Sequence, residues 1–408
     1  MSRPLGSKTA FVGVSVVFAA FFLAGGAPTP LLSLRQEQWG FSAGVLTIAF
    51  SVYAVALLVA LLVGGSLSDH TGRRPVLLAS LAGELVSMVV FLLAPSIGWV
   101  IAARAIQGLA TGLATSAFNA SIAEHAPAHL KKLAGGLAGA SVAGGLGLGA
   151  LLAGAAVQFT PDANTIVFAV LTAMMALGIV FVALTPETSV KRPGAARSLT
   201  PRVVLPAHLR REYFAGIPVH IAGWMFPAFF LGLSPSILRL QFGIDGGLIT
   251  GFTAFVGPFT SAVAGFVFAR FAPRRGTLVG LGLLLAGMLV VLVGVTTTIL
   301  PLLWVGGLLG GAGFGGTFGG QLRLIAPRVA AHERAGVFAG VYTAAYLSFG
   351  IPVVIAGQLA PRWGLLPTFE SYAGAVILFA IVGLIAQSVI ARREPASQAA
   401  APAAPAAA

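Results

Sequence analysis

The sequence predicts an all-α membrane protein with twelve transmembrane helices in two pseudo-symmetric six-helix bundles. Three observations carry this prediction. Of 408 residues, 57% are hydrophobic and only 9% charged, whereas a soluble domain carries about 25% charged residues. Mean hydropathy is +0.96. Apolar runs long enough to cross a bilayer recur along the chain, and the basic residues between them fall almost entirely on one side.

A crossing needs roughly 20 mostly apolar residues for about 30 Å of hydrocarbon. Twelve such runs are expected at 9–32, 42–67, 75–95, 97–119, 133–158, 164–185, 213–238, 247–270, 276–296, 300–324, 335–360 and 369–391. The first is too long for a cleaved signal, lacks a clear cleavage site and precedes eleven more. One long polar connector, 186–212, separates the bundle 1–185 from the bundle 213–393. The Ala/Pro-rich end, 394–408, reads as a disordered tail.

Twenty of the 24 Lys and Arg residues fall on the side of the N-terminus. They include Lys8, Arg73, Arg74, Lys131, Lys132 and six in the connector. The opposite loops hold only Arg35, Arg239 and Arg362, and Arg104 lies within a span. This bias places both termini in the cytoplasm. Arg outnumbers Lys 20 to 4, a compositional pointer to a bacterial, GC-rich genome. The expected location is a bacterial cytoplasmic membrane.

Composition also excludes function classes. The net charge of +13 lies between apolar spans, so nucleic acid does not explain it. Cysteine is absent, which removes disulfides and thiolate metal sites. The sequence holds no P-loop, His/Asp/Glu metal cluster or nucleophile elbow. The glycines from Gly311 to Gly316 have a dinucleotide-like spacing, but inside a span they read as packing glycines. No enzyme activity, cofactor or metal is expected. ATP-driven transport would need a partner subunit.

The halves echo each other at an offset near 200. The stretch GSLSDHTGRR at 65–74 aligns with GFVFARFAPR at 265–274. Ala126 and Pro127 align with Ala326 and Pro327, and after a one-residue slip Gly139 meets Gly340. Two parallel repeats imply a substrate site between them near the midplane, reached alternately from each side.

The 65–74 loop carries the sharpest motif. Gly65, Asp69, Gly72, Arg73 and Arg74 leave a carboxylate and two guanidinium groups at a helix end. The carboxylate can accept from free N–H groups of a helix N-terminus. The bland reading is an ordinary basic loop. The loop resembles the signature loop of the major facilitator superfamily, G-x-L-x-D-R-x-G-R-[RK], with His70 in place of the usual Arg. The resemblance covers the whole chain in span count, six-plus-six division and repeat. It implies that Asp69 latches a neighbouring helix of the other half in the outward-open state. The second copy has Ala269 opposite Asp69, so the latch should be asymmetric.

Arg104, Gln107 and Gly108 lie in the fourth span. Arg104 and Gln107 share a helix face, Gly108 permits close helix approach, and a guanidinium so deep is expensive unless partnered. Glu84, the one acid well inside any predicted span, lies at a depth that permits pairing with Arg104. The segment resembles the superfamily's R-x-x-Q-G pattern, implicated in proton transfer. A structural ion pair and proton coupling both remain open.

The fifth span is rich in glycine, including Gly145, Gly149 and Gly154. It partly fits the exporters' pattern G-x-x-x-G-P-x-x-G-G, with Ala150 where the Pro stands and Ala153 for one Gly. Tight packing alone is the bland reading. In the second half, His220 and Trp224, Gln321, and the pair Tyr342 and Tyr346 are substrate-cavity candidates, though aromatics at helical spacing also serve plain packing. The resemblance is closest to bacterial drug and metabolite exporters. It implies a proton-coupled exporter of small amphipathic molecules that works by alternating access, with the bilayer, protons and a small substrate as partners. It is expected to function as a monomer. The alternatives are a proton-coupled metabolite importer and a non-transporting membrane sensor.

Overall fold

The computed structural model describes residues 6–200, 205–330 and 333–399. Among the described residues, twelve helical spans are long and apolar enough to cross a membrane. They are α1 Ser7–Trp39, α2 Ala43–Gly64, α3 Arg73–Leu93, α4 Ile97–His125, α5 Ala134–Phe159 and α6 Ala163–Leu184 in the first half. The second half holds α7 Ala207–Gln241, α8 Gly247–Phe268, α9 Pro273–Thr296, α10 Leu300–Arg328, α11 Gly336–Trp363 and α12 Leu365–Arg392. No strand occurs among the described residues.

Several helices outrun their apolar stretch. α1 continues through the polar residues 33–39 to Trp39, and α4 runs to His125 rather than 119. Hydropathy marks where lipid stops, whereas backbone hydrogen bonding carries a helix on into the polar interface. Helical backbone also continues past α12 to Ala399. The first six residues of the expected Ala/Pro-rich tail, 394–399, thus have helical backbone. Residues 400–408 lie outside the described residues.

Local sequence explains the breaks. α1 is interrupted at Ala27, and its second part restarts with Pro28 at the first position, where a missing N–H costs nothing to the new helix. Gly40 ends α1 at φ 69°, and the Ser42 hydroxyl accepts from the Val45 N–H at 3.3 Å to start α2. α7 contains Pro218 and Pro227, followed by a wide turn over Phe229–Leu233, a common response to a disturbed hydrogen-bond ladder.

The packing is a repeat. α1 lies on α5, α2 on α4, and α3 on α4 and α6. Six helices on, α7 lies on α11, α8 on α10, and α9 on α10 and α12. Between the halves α5 meets α8 and α2 meets α11, pairs that the same relation exchanges. Each half has its own apolar core. One face of α2, carrying Phe50, Tyr53, Ala54, Leu57 and Leu58, belongs to the core of the second half.

The two ends of this interface differ. Far from the 65–74 loop, glycines bring backbones together: a Cβ on Gly154 of α5 would stand 2.8 Å from the Cα of Gly251 in α8. On the loop side the halves part around two cavities.

Candidate functional site

The deeper cavity has a volume of about 500 Å³. The second half gives it an aromatic wall, Trp224 with Phe314, Phe318, Tyr342 and Tyr346; the first half contributes Phe22, Thr115 and Asn119. Trp224 is the hub of that wall. Its ring lies 5.0 Å from Tyr346, 5.2 Å from Phe318 and 5.4 Å from Phe314, the last two edge-on. Edge-to-face rings hold one another in place while leaving faces for an apolar guest. A second cavity of about 840 Å³ lies against the 65–74 loop and connector, and Tyr342 lines both.

Of the five cavity candidates, Trp224, Tyr342 and Tyr346 line the deeper cavity. His220 and Gln321 do not; both are buried one layer behind. The His220 ring stands edge-on to Phe318 at 6.3 Å. Gly216 makes room for Gln321, whose Oε1 would lie 2.8 Å from a Cβ at that position. His220 Nε2, Trp224 Nε1 and both amide atoms of Gln321 have no hydrogen-bond partner in the protein. Orphaned polar atoms in a buried layer are costly, and here they mark a small polar seam between α7 and α10.

Arg323 lines the cavity, but its guanidinium is occupied by the carbonyls of Phe268, Ala269 and Phe271 at 2.8–3.1 Å. These lie at the C-terminal end of α8, where a cation is favoured.

The first half holds the buried polar cluster anticipated from Arg104, Gln107 and Glu84, with a different wiring. Gln107 stands between the other two: its Nε2 donates to Glu84 Oε1 at 2.9 Å, and its Oε1 accepts from Arg104 at 2.8 Å. The direct Glu84–Arg104 ion pair is not made. Arg104 instead donates to the carbonyls of Gly25 and Ala49, and lies 4.4 Å over the Tyr53 ring. The carbonyls explain the arrangement. Pro28 has no N–H, so Ala24 lacks its usual helical donor; Gln107 Nε2 fills that role at 3.1 Å. The fourth span thus mends the break in α1. Glu84 Oε2 remains buried without a partner.

Gly108 lies against α2, where a Cβ would come within 2.7 Å of the Ala56 Cβ. The glycines of α5 serve two neighbours. Gly145 and Gly149 face α1, with Phe22 Cβ and Ala27 N within 2.8 and 3.0 Å of the missing side chains, whereas Gly154 faces α8.

In the 65–74 loop, Gly65 closes α2 and Asp69 bonds Arg73 within its own half. Arg73 also reaches Glu124 at 3.0 Å and Ser68 at 2.8 Å. The anion at the N-terminus of α3 is not Asp69 but Glu187, from the connector. Its two oxygens each accept at 2.9 Å from the backbone N–H groups of Arg73 and Arg74. Gly72 has φ 101°, and a Cβ there would lie 2.7 Å from Glu187 Oε2, so both backbone and carboxylate demand glycine. Burial pushes the Glu187 carboxyl up, but backbone N–H groups of Ser189, Arg73, Arg74 and Thr188 outweigh it and hold it below the ordinary glutamate value. The sequence reading missed Glu187; the signal was an acid just past the last apolar turn of α6. It also missed Glu212, which is buried and accepts from Arg274 at 2.9 and 3.1 Å and from Arg328 at 3.3 Å.

Among the described residues no group of His, Asp and Glu could hold a metal. The family model of the Major Facilitator Superfamily matches residues 14–298. The chain belongs to the major facilitator superfamily. Two solved transporters share its fold. One is described as the human organic anion transporter MFSD10 (TETRAN), with 19% identity over 92% of this chain and 99% of that one, at TM-score 0.67. The other is a bacterial homolog of the human lysosomal transporter Spinster, inward-facing and unoccupied, with 12% identity over 95% of this chain and 98% of that one, at TM-score 0.70. A search of curated proteins gave no match. Membership in this superfamily makes the chain a transporter rather than an enzyme.

Proposed function

We propose that this superfamily member is a proton-coupled secondary transporter that exports small amphipathic molecules by alternating access. The observation that carries the reading is the cavity around Trp224, sealed by the Gly154–Gly251 contact at one end and reached from the side of the 65–74 loop. Its aromatic wall suits an apolar body, and its polar atoms suit a hydrogen-bonding group. Arg323, the cation at its edge, is already held by carbonyls, which disfavours a multiply charged anion.

In this reading the sealed end faces outward and the loop side faces the cytoplasm. The basic-residue bias supports that orientation, with both termini inside a bacterial cytoplasmic membrane and the chain working as a monomer. Rocking of α5 against α8 and α2 against α11 exchanges the two faces. Asp69, free to exchange Arg73 for a helix of the other half, serves as the latch of the outward-open state. Glu84 is the buried group whose protonation would bias the two states, since a ligand shifts an equilibrium by its differential affinity for them. Gln107 would pass that change to Arg104 and the broken α1.

Proteoliposomes with an imposed pH gradient and a chemically broad panel of substrates test the proposal. Gradient-driven movement of amphipathic compounds supports it. Flux in the gradient's own direction supports import instead, and binding without flux a sensor.

A further inference from the structure

We infer that residues 192–198 of the connector form a strap, fastened to the 65–74 loop by His70, that sets the width of the mouth of the second cavity. His70 is the one departure from the signature loop, and the structure gives it work. Its backbone carbonyl accepts from the Arg192 N–H at 2.9 Å. Its Nδ1 lies 3.2 Å from the Pro193 carbonyl; a carbonyl only accepts, so Nδ1 carries the proton and donates. Gly194 then lies against the ring. Its φ is +105°, and a Cβ there would sit 3.6 Å from His70 Cε1. Four residues on, the Ser66 hydroxyl donates to the Ser198 carbonyl at 3.2 Å.

The helix between these points, Ala195–Ser198, has four residues, too few to stand alone. Its shape therefore comes from docking. The docked strap faces the cavity of about 840 Å³: Pro193, Gly194, Arg197 and Ser198 line one side, while Phe338 and Ala339 of α11 line the other. One wall of the mouth thus belongs to the first half through His70, and the opposite wall to the second half. Freeing the strap widens the aperture without altering either bundle, so the strap limits the size of what passes.

The test needs no substrate, so its outcome is separate from that of the transport proposal. The chain has no cysteine, and the part-exposed Ala339 lines the cavity on the wall opposite the strap. Ala339→Cys in the purified full chain is labelled with a small maleimide and with a bulky polymer-linked maleimide, and the ratio of the two rates is measured. In His70→Ala the bulky reagent should gain about five-fold over the small one, as loss of one hydrogen bond shifts an opening equilibrium. Gly194→Val should act likewise, because its backbone cannot hold φ +105°, and His70→Asn, which keeps a donor, should restore most of the restriction. An unchanged ratio in both His70→Ala and Gly194→Val overturns the strap. So does an equal rise for both reagents, which would mean that the whole interface had opened.

Discussion

Gln107 donates its amide to Glu84 at 2.9 Å while accepting from Arg104 at 2.8 Å, so a neutral side chain carries the link between the deepest acid and base of the first half. Its other hydrogen bond goes to Ala24, whose carbonyl Pro28 leaves without a helical donor. Gln107→Leu should therefore strand two buried groups, Glu84 and the Ala24 carbonyl, and leave Arg104 with only its bonds to Gly25 and Ala49. Each costs about 1–3 kcal/mol when unsatisfied, and thermal unfolding in detergent should show a clear loss. An unchanged Tm would mean that the bridge does not hold the cluster together.

Asp69→Asn should preserve the fold and shift the balance between inward- and outward-open states. The Asp69 side chain is 56% exposed in its pair with Arg73, so solvent screening leaves the pair worth about 0–1 kcal/mol. The change should appear in accessibility labelling rather than in Tm. Equal labelling on both faces before and after the substitution would remove the latch.

Gly154→Val should open the sealed end. A Cβ there stands 2.8 Å from the Gly251 Cα, and overpacking costs about 1–3 kcal/mol only where the two helices touch. Thr250 lines the narrow cleft at that end. Thr250→Cys should accordingly label about ten-fold faster in the variant, the effect of roughly 1.4 kcal/mol on a two-state equilibrium. No change in rate would place the gate elsewhere.

Docking of the connector on α3 should depend on pH through Glu187. Its folded pKa lies below the ordinary value of 4.5. A lowered carboxylate contributes stability that is present above the unfolded pKa and is lost as pH falls through the folded one. The Arg73 and Arg74 amides should be protected from hydrogen exchange, relative to the free-peptide rate at each pH, at neutral pH and should lose that protection only below 4.5. In Glu187→Gln protection should be low throughout. Flat protection across that range in the natural protein would contradict the role.

The sequence made the spans legible because lipid imposes a simple rule on length and hydropathy, and Arg104 with Gln107 because three positions on a helix share a face. What Gln107 touches was hidden, since it depends on the carbonyl of Ala24, 83 residues away, which a proline in α1 leaves without a helical donor. Glu187 was hidden for the same reason: its contact with Arg73 spans 114 residues, and only the docked connector creates it. His220 and Gln321 were read as cavity residues because polar groups in a span invite that reading. Packing put Phe318 and Trp224 in front of them.

Proton flux in proteoliposomes tests the central claim most directly. With the natural protein, an imposed pH gradient should drive uptake of an amphipathic substrate into inverted vesicles, with protons leaving as substrate enters, and a protonophore should abolish it. Folded Glu84→Gln should bind the substrate yet lose the pH-driven component, because Gln keeps the shape without the titration; Arg104→Lys is measured beside it. Substrate movement that ignores the gradient in the natural protein would contradict the account, and full coupling in Glu84→Gln would remove Glu84 as the carrier.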